Sequence, residues 1–567
     1  MKNNNTNISN SMEDLTFASN KKWWKEEVIY QIYPRSFMDS NGDGIGDIPG
    51  IISKLDYIKN LGVDIIWLSP VYRSPNDDFG YDVSNYYEIN PEYGTMDDFD
   101  EMLSLVHQKG MRLVMDLVAN HTSDEHEWFQ QSRSSKDNPY RDFYHWKPGK
   151  NGGPPNNWRS FFGGSVWEYD EHTDEYFLHL FTKRQPDLNW ENPKVREAIY
   201  DMLRFWLDKG VDGFRMDVIP LISKRLGFED THLEHLNEVI EKVYSNGPRV
   251  HEYINEMYEK VIKHYDVMTV GEGPGINSKV GIDYVGHDRG ELNMIFHLDH
   301  MFLGHGPLGK FDPVHYDWKD IKRIFQEWYD AMGESGWVSI FLDNHDFPRL
   351  VSRFGNDGAY RKESAKLLAM MILTLKGTPS IYQGSEIGMT NVAFNKITDY
   401  QDTETHNYFE EFRERGLDEP AFLKLVHQHG RDNARTPYQW DKTVNGGFST
   451  GNPWIKVNPN YNEINAEKTL MEQDSIYAFY QKLLAFRKQN KTLVYGTWNV
   501  IAQESEDLYV YERIDDEGHF YIVLNHSDQP NQFELNLAGF QLAVQNIEND
   551  LIFDLLPWEA RLYKQTN

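Results

Sequence analysis

The chain of 567 residues contains no cysteine, and it has fewer lysines and arginines than acids, for a formal net charge of −31. It also has no apolar run of about 18 residues, the length a membrane-spanning helix needs. Each absence removes a class of function. Without cysteine there are no disulfides, no thiolate nucleophile and no Cys-ligated metal, and a reducing, cytoplasmic setting is expected. The acidic balance opposes binding to nucleic acid or to an anionic membrane, since both would repel the chain. The polar, Asn-rich residues 1–22 lack the apolar core of a signal peptide and read as a disordered leader. Apolar material is plentiful, at 40% hydrophobic and 14% aromatic residues. That is enough for one large core with satellite domains, and rings beside so much acid suit a neutral substrate.

Short apolar strands alternate with amphipathic helices along most of the chain. The strands are expected over 27–34, 63–68, 112–118, 211–216, 267–270, 292–296, 338–342 and 379–382. Repeated βα units imply a parallel sheet, and eight of them imply closure into a TIM-type barrel with no edge strand left over. The fold class is therefore α/β, a (β/α)8 barrel over residues 23–119 and 188–489. An irregular domain, rich in Asn, Gly, Pro and aromatics, is inserted after strand three at residues 120–187. From residue 490 to 567 short strands such as YVYERI, FYIVLN, QFELNL, IFDLLP and ARLYKQ predict an antiparallel, sandwich-like β domain.

Behind the first strand, Asp39, Asn41, Asp43, Ile45 and Asp47 alternate with Ser40, Gly42, Gly44 and Gly46. Oxygen ligands at every second position of a Gly-rich loop are the pattern that hard cations use, Ile45 contributing its carbonyl. A structural Ca²⁺ is expected there, with Mg²⁺ as the alternative and no organic cofactor. No Glu follows at the EF-hand spacing.

Barrel enzymes carry their reactive groups at the C-terminal ends of strands. Strand four ends in Arg215-Met216-Asp217, whose alternation puts the guanidinium and the carboxylate on one face. An adjacent cation is expected to keep Asp217 ionised. Strand three runs into Asn120-His121, strand five ends on Gly271-Glu272-Gly273, and strand seven on Asp343-Asn344-His345-Asp346. Each alone is as easily a structural group. Together they offer an ionised carboxylate, a carboxyl with a raised pKa and a third acid for a sugar or its developing cation, which is what glycoside hydrolysis needs.

The segments DLVANH (116–121), GFRMDV (213–218), VGEG (270–273) and FLDNHD (341–346) resemble, in order and spacing, the four sequence regions of the α-amylase family of glycoside hydrolases, glycoside hydrolase family 13. QPDLNW (185–190) resembles a fifth, and the likeness runs from about Trp23 to the end. The metal loop, DDFGYD (77–82) and RDNARTPYQW (431–440) are similar to the oligo-1,6-glucosidase and α-glucosidase branch. The resemblance implies retaining catalysis with Asp217 as nucleophile, Glu272 as acid/base and Asp346 as transition-state stabiliser. It implies a non-reducing glucose subsite lined by Asp78, Tyr81, His121, Arg215, His345 and Arg435, with Phe162, Phe181 and Gln185 as further candidates. The partner implied is a small oligosaccharide, acted on by a monomer.

Val218 is what α-1,6-acting members carry after the nucleophile. FHLDHM (296–301) replaces the arginine-rich motif of the sucrose isomerases. Isomaltose and short isomalto-oligosaccharides are therefore the expected substrates, hydrolysed from the non-reducing end. Trehalose-6-phosphate hydrolysis, which would need cations such as Lys224 or Arg225 at the leaving group, and α-1,4- or sucrose-acting α-glucosidases are the alternatives. A binding protein of the same fold would have lost the acids that are present here.

Overall fold

The computed structural model describes residues 21–566, so most of the expected leader lies outside the described residues. Eight parallel strands form the central sheet: β1 (Ile29–Ile32), β2 (Ile65–Leu68), β3 (Arg112–Leu117), β4 (Gly213–Met216), β5 (Met268–Gly273), β6 (Met294–His297), β7 (Ser339–Ile340) and β8 (Thr378–Tyr382). Their spatial order is β6-β5-β4-β3-β2-β1-β8-β7. A parallel bridge from Ile295 to Val338 joins the two ends and closes the barrel. Every residue of β1, β2 and β4 is buried. That is why β2 reads as an unbroken apolar run, since a parallel sheet is covered on both faces. Each large aliphatic side chain removed from water there contributes about 1.5–3 kcal/mol.

Local chemistry sets where the helices begin and end. Asp47 caps α1 (Ile48–Leu61) by accepting the Gly50 N–H, and Gly62 ends it at φ +103°. Asn192 and Gly210 do the same for α2 (Pro193–Lys209). Asp317 and Asp320 form a capping box at the start of α3 (Trp318–Met332).

The segment after β3 carries a small antiparallel sheet of Trp146–Lys147, Trp167–Asp170 and Glu175–Leu178. Its Trp158, Val166, Trp167 and Leu178 pack in one cluster with Val218, Leu221 and Phe228, which follow β4. The insertion is thus seated on the loop beside Asp217.

The C-terminal region is a five-stranded antiparallel sheet of β9 (Thr497–Val500), β10 (Leu508–Ile514), β11 (His519–Asn525), β12 (Phe540–Gln545) and β13 (Ala560–Gln565), in the order β9-β10-β11-β13-β12. The strands expected over 532–537 and 552–557 shrink to one short pair, Asn531–Gln532 with Asp554–Leu555. The free edge of β13 is taken by Phe540–Gln545 instead, through a bulge between Leu542 and Val544. Lys322 of α3 ties this sheet to the barrel by donating to the carbonyls of Ala502, Ser505 and Leu508.

Candidate active site

β4 stops at Met216, one residue short of Asp217. The chain then turns through Val218 at φ +36° and ψ +40°, left-handed space that a β-branched residue rarely enters. Val218 thus leaves the alternation of the strand instead of extending it. The turn aims the Val218 N–H at Glu272 Oε2, 3.1 Å away, and leaves its side chain in the pocket wall.

Arg215, 1% exposed, lies beneath. Its Nη1 reaches Asp116 at 2.6 Å and Asp217 at 2.7 Å, and its Nη2 reaches Glu272 at 2.8 Å. One guanidinium therefore faces three carboxylates. Burial pushes the Asp217 carboxyl well above the usual range, Arg215 offsets this, and the charges of Glu272 and Asp116 add to it. Burial also raises Glu272, with Arg215 opposing and the Asp346 charge reinforcing. The expectation that the adjacent guanidinium keeps Asp217 ionised is thus corrected: burial outweighs Arg215 and holds the carboxyl above the usual range. Burial thus disfavours charge on both carboxyls, and the charge of Glu272 adds to the effect on Asp217.

Asp346 differs. Burial works against its charge, yet His345, Arg431 and Arg435 hold it well below the ordinary carboxylate range. Arg435 Nη2 is 2.8 Å and Arg431 Nη1 3.2 Å from Oδ1, and His345 Nε2 is 3.1 Å from Oδ2. Gln31 Nε2 sits 2.8 Å from His345 Nδ1, so the ring is held between Gln31 and Asp346. Tyr81 stacks flat on the same ring at 5.1 Å and donates to Asp116 at 3.2 Å.

Asp217, Glu272 and Asp346 share one cavity of about 150 Å³, at the C-terminal rim of the barrel, with Asp78, Tyr81, His121, Phe162 and Phe181. Burial lowers His121 to about 4 and keeps it neutral. Asp78 accepts from Gln185 Nε2 and from Arg431 Nη2, both at 3.2 Å. Arg215, Gln185, His345 and Arg435 stand behind this wall and orient its acids.

Sequence reasoning missed Arg431, which pairs with Asp78, Asp346, Asp402 and Glu404 and lies over the Phe162 ring at 4.4 Å. It opens the same RDNARTPYQW stretch that supplied Arg435, and that stretch was its only signal. Lys310, paired with Glu404 in the pocket wall, was missed too. Lys224 and Arg225 lie elsewhere. Lys224 is buried against Asp187 at 2.7 Å, and Arg225 donates to the carbonyls of Val243, Ser245 and Asn246.

In the Asp39–Asp47 loop the carboxylates serve the loop's own N–H groups. Asp39 accepts from Asn41, Gly42 and Gly44, Asn41 from Asp43, Asp43 from Ile45, and Asp47 from Ser40 and Gly50. Among the described residues no three acidic or histidine side chains converge as a ready-made cage.

Residues 31–496 match the alpha-amylase catalytic domain. The chain belongs to the α-amylase family. Within the family it is 53% identical to an oligo-1,6-glucosidase of Parageobacillus thermoglucosidasius over 554 residues, 96% of this chain and 99% of that protein. It is 49% identical to a trehalose-6-phosphate hydrolase of Bacillus subtilis over 493 residues, 87% of each. The solved trehalulose synthase of Pseudomonas mesoacidophila MX-45 superposes with a TM-score of 0.93 at 45% identity, covering 96% of this chain and 99% of that one. This family member is accordingly a glycoside hydrolase by fold and sequence. Its four quoted segments meet at one place: Asp116, Asp217 and Glu272 on Arg215, with Asp346 across the cavity.

Proposed function

We propose that the protein is a retaining, exo-acting α-glucosidase that hydrolyses α-1,6-glucosidic bonds at the non-reducing end of isomaltose and short isomalto-oligosaccharides. The observation that carries the reading is Arg215 bridging Asp217 at 2.7 Å and Glu272 at 2.8 Å, which sets two carboxyls side by side in the wall of one cavity. Asp217 attacks the anomeric carbon and Glu272 protonates the leaving oxygen. Water then enters with Glu272 as base, and the glucosyl–Asp217 ester is cleaved. Asp346, fixed as an anion, stabilises the oxocarbenium-like charge and holds sugar hydroxyls. Asp78, Arg431 and Tyr81 complete the glucose site, and its small volume favours a single terminal unit.

Hydrolysis of isomaltose, panose, maltose, sucrose and trehalose 6-phosphate, measured side by side, tests this. Isomaltose and panose should be turned over fastest, and exclusive turnover of the phosphorylated sugar would sink the reading. The phosphate alternative is less supported, because the one lysine in the pocket wall is committed to Glu404. Hydrolysis over isomerisation is supported by His297 and His300, which pack on Trp328 and Phe341 and leave Leu298 at the pocket.

We assign the Asp39–Asp47 loop to a structural Ca²⁺, or Mg²⁺, on its oxygen-only donor set. Chelation should lower the Tm and added Ca²⁺ restore it; a Tm indifferent to both refutes the assignment. The cysteine-free composition supports a cytoplasmic setting. Among the described residues no helix is long and apolar enough to cross a membrane.

A further inference from the structure

The N-terminal end of the barrel, opposite the catalytic rim, holds a second cavity of about 450 Å³. Its walls come from the segments leading into β1 (Lys22, Trp24, Lys25), β6 (His287, Leu292) and β7 (Ser335). Lys25 is only 3% exposed. Among the described residues its ammonium has one polar partner, His287 Nε2 at 3.2 Å, and it is flanked by the Trp337 ring at 4.7 Å and the Trp24 ring at 5.4 Å. His287 must accept that bond, so it brings no negative charge. Lys22 and Lys376 lie near enough for their charges to act on Lys25. Among the described residues none of these three lysines forms an ion pair; Lys376 donates only to the Gly333 carbonyl.

A buried ammonium without a carboxylate costs free energy unless something else compensates it. In a chain of net charge −31, acids to pair with it are abundant. The two nearby are not paired with it. Glu291 is already engaged by His251 at 2.8 Å and Arg289 at 3.3 Å, and Asp288 stands exposed at the rim. Lys25 therefore presents unused N–H donors at the wall of the cavity.

We propose that this cavity is a binding site for a small oxyanion, a phosphate or carboxylate group, held by Lys25 on the floor and Lys22 at the mouth. It is separate from the catalytic pocket and does not depend on the proposed activity. Charge-assisted bonds to an oxyanion supply what the lysines lack.

Inorganic phosphate, and acetate in a parallel arm, should be titrated into the full chain. Glucose would saturate the catalytic pocket and chloride hold ionic strength, with Tm and heat of binding as readouts. A saturable rise in Tm is expected with at least one anion, and the arm that saturates at lower concentration names the group. Lys25→Met should weaken binding about tenfold or more while leaving isomaltose hydrolysis unchanged. A response that never saturates, or equal binding by the variant, overturns the proposal. Should Lys25→Met fail to fold, the exposed Lys22→Ala decides: weakening of about threefold or more supports the site, and unchanged binding refutes it.

Discussion

The two ends of this barrel are electrostatic opposites. At the C-terminal rim buried acids crowd around too few cations: Arg215 serves three carboxylates, and Arg431 serves four. At the N-terminal end Lys25 is buried with none among the described residues. Both arrangements are costly in a medium of low dielectric, but they store the cost differently. The crowded rim shows it in the raised carboxyls of Asp217 and Glu272. The starved end stores it as unused donor capacity.

Changes at the rim should separate catalysis from stability. Asp217→Asn and Glu272→Gln are each expected to lower kcat on isomaltose by about 10⁴-fold or more. Their Tm should hold or rise, because each relieves repulsion around Arg215. A variant that keeps wild-type turnover would break the catalytic half of the comparison. Arg215→Met should lose activity as well, but with it about 3–5 kcal/mol of stability, since it strands three buried carboxylates. Denaturant unfolding of the three variants reads the contrast directly.

The raised Glu272 carboxyl has a pH signature. Burial raises Glu272, so its acid form persists above the ordinary carboxylate range and is lost as pH rises through the elevated pKa. kcat/KM should fall on that alkaline side, and Glu272→Gln should lack the limb when assayed on a glucoside whose leaving group needs no proton. Persistence of the limb in that variant would assign it to another residue.

A smaller effect concerns linkage. Val218 is 7% exposed and lines the pocket beside Asp217. Val218→Thr should shift the ratio of isomaltose to maltose hydrolysis toward maltose by about tenfold or less, the size a single pocket contact can supply. The smallest change is at the starved end. In buffer free of phosphate, Lys25→Met should raise stability by about 1 kcal/mol, because it removes an uncompensated buried charge. A fall in Tm would mean that the ammonium is better satisfied than the comparison holds.

Much of this could be read from the chain. Strands such as Ile65–Leu68 and Arg112–Leu117 stand out because a barrel strand is buried on both faces, so its composition betrays it. Asp217 and Glu272 could be found because each falls at the polar end of such a strand, and Asp346 lies in the turn just beyond one. The C-terminal sheet was harder. The strand Phe540–Gln545 is mostly half-exposed, and the more apolar stretch after Asp550 leaves Leu551, Ile552 and Phe553 in solvent. On an edge, pairing with a neighbour decides what is a strand, and composition does not.

Residue order by itself determined the eight-strand barrel, the insertion and the three acids, because apolar period and the position of polar residues along a strand are local properties. Only the tertiary structure decided how the charges are shared. Arg431 reaches Asp346 across 85 residues and Asp78 across 353, and Arg215 reaches Asp116 across 99. Such contacts depend on which strands become neighbours when the sheet closes. The protonation of Asp217 and Glu272 depends in turn on those contacts and on the exclusion of water, which no stretch of sequence carries on its own.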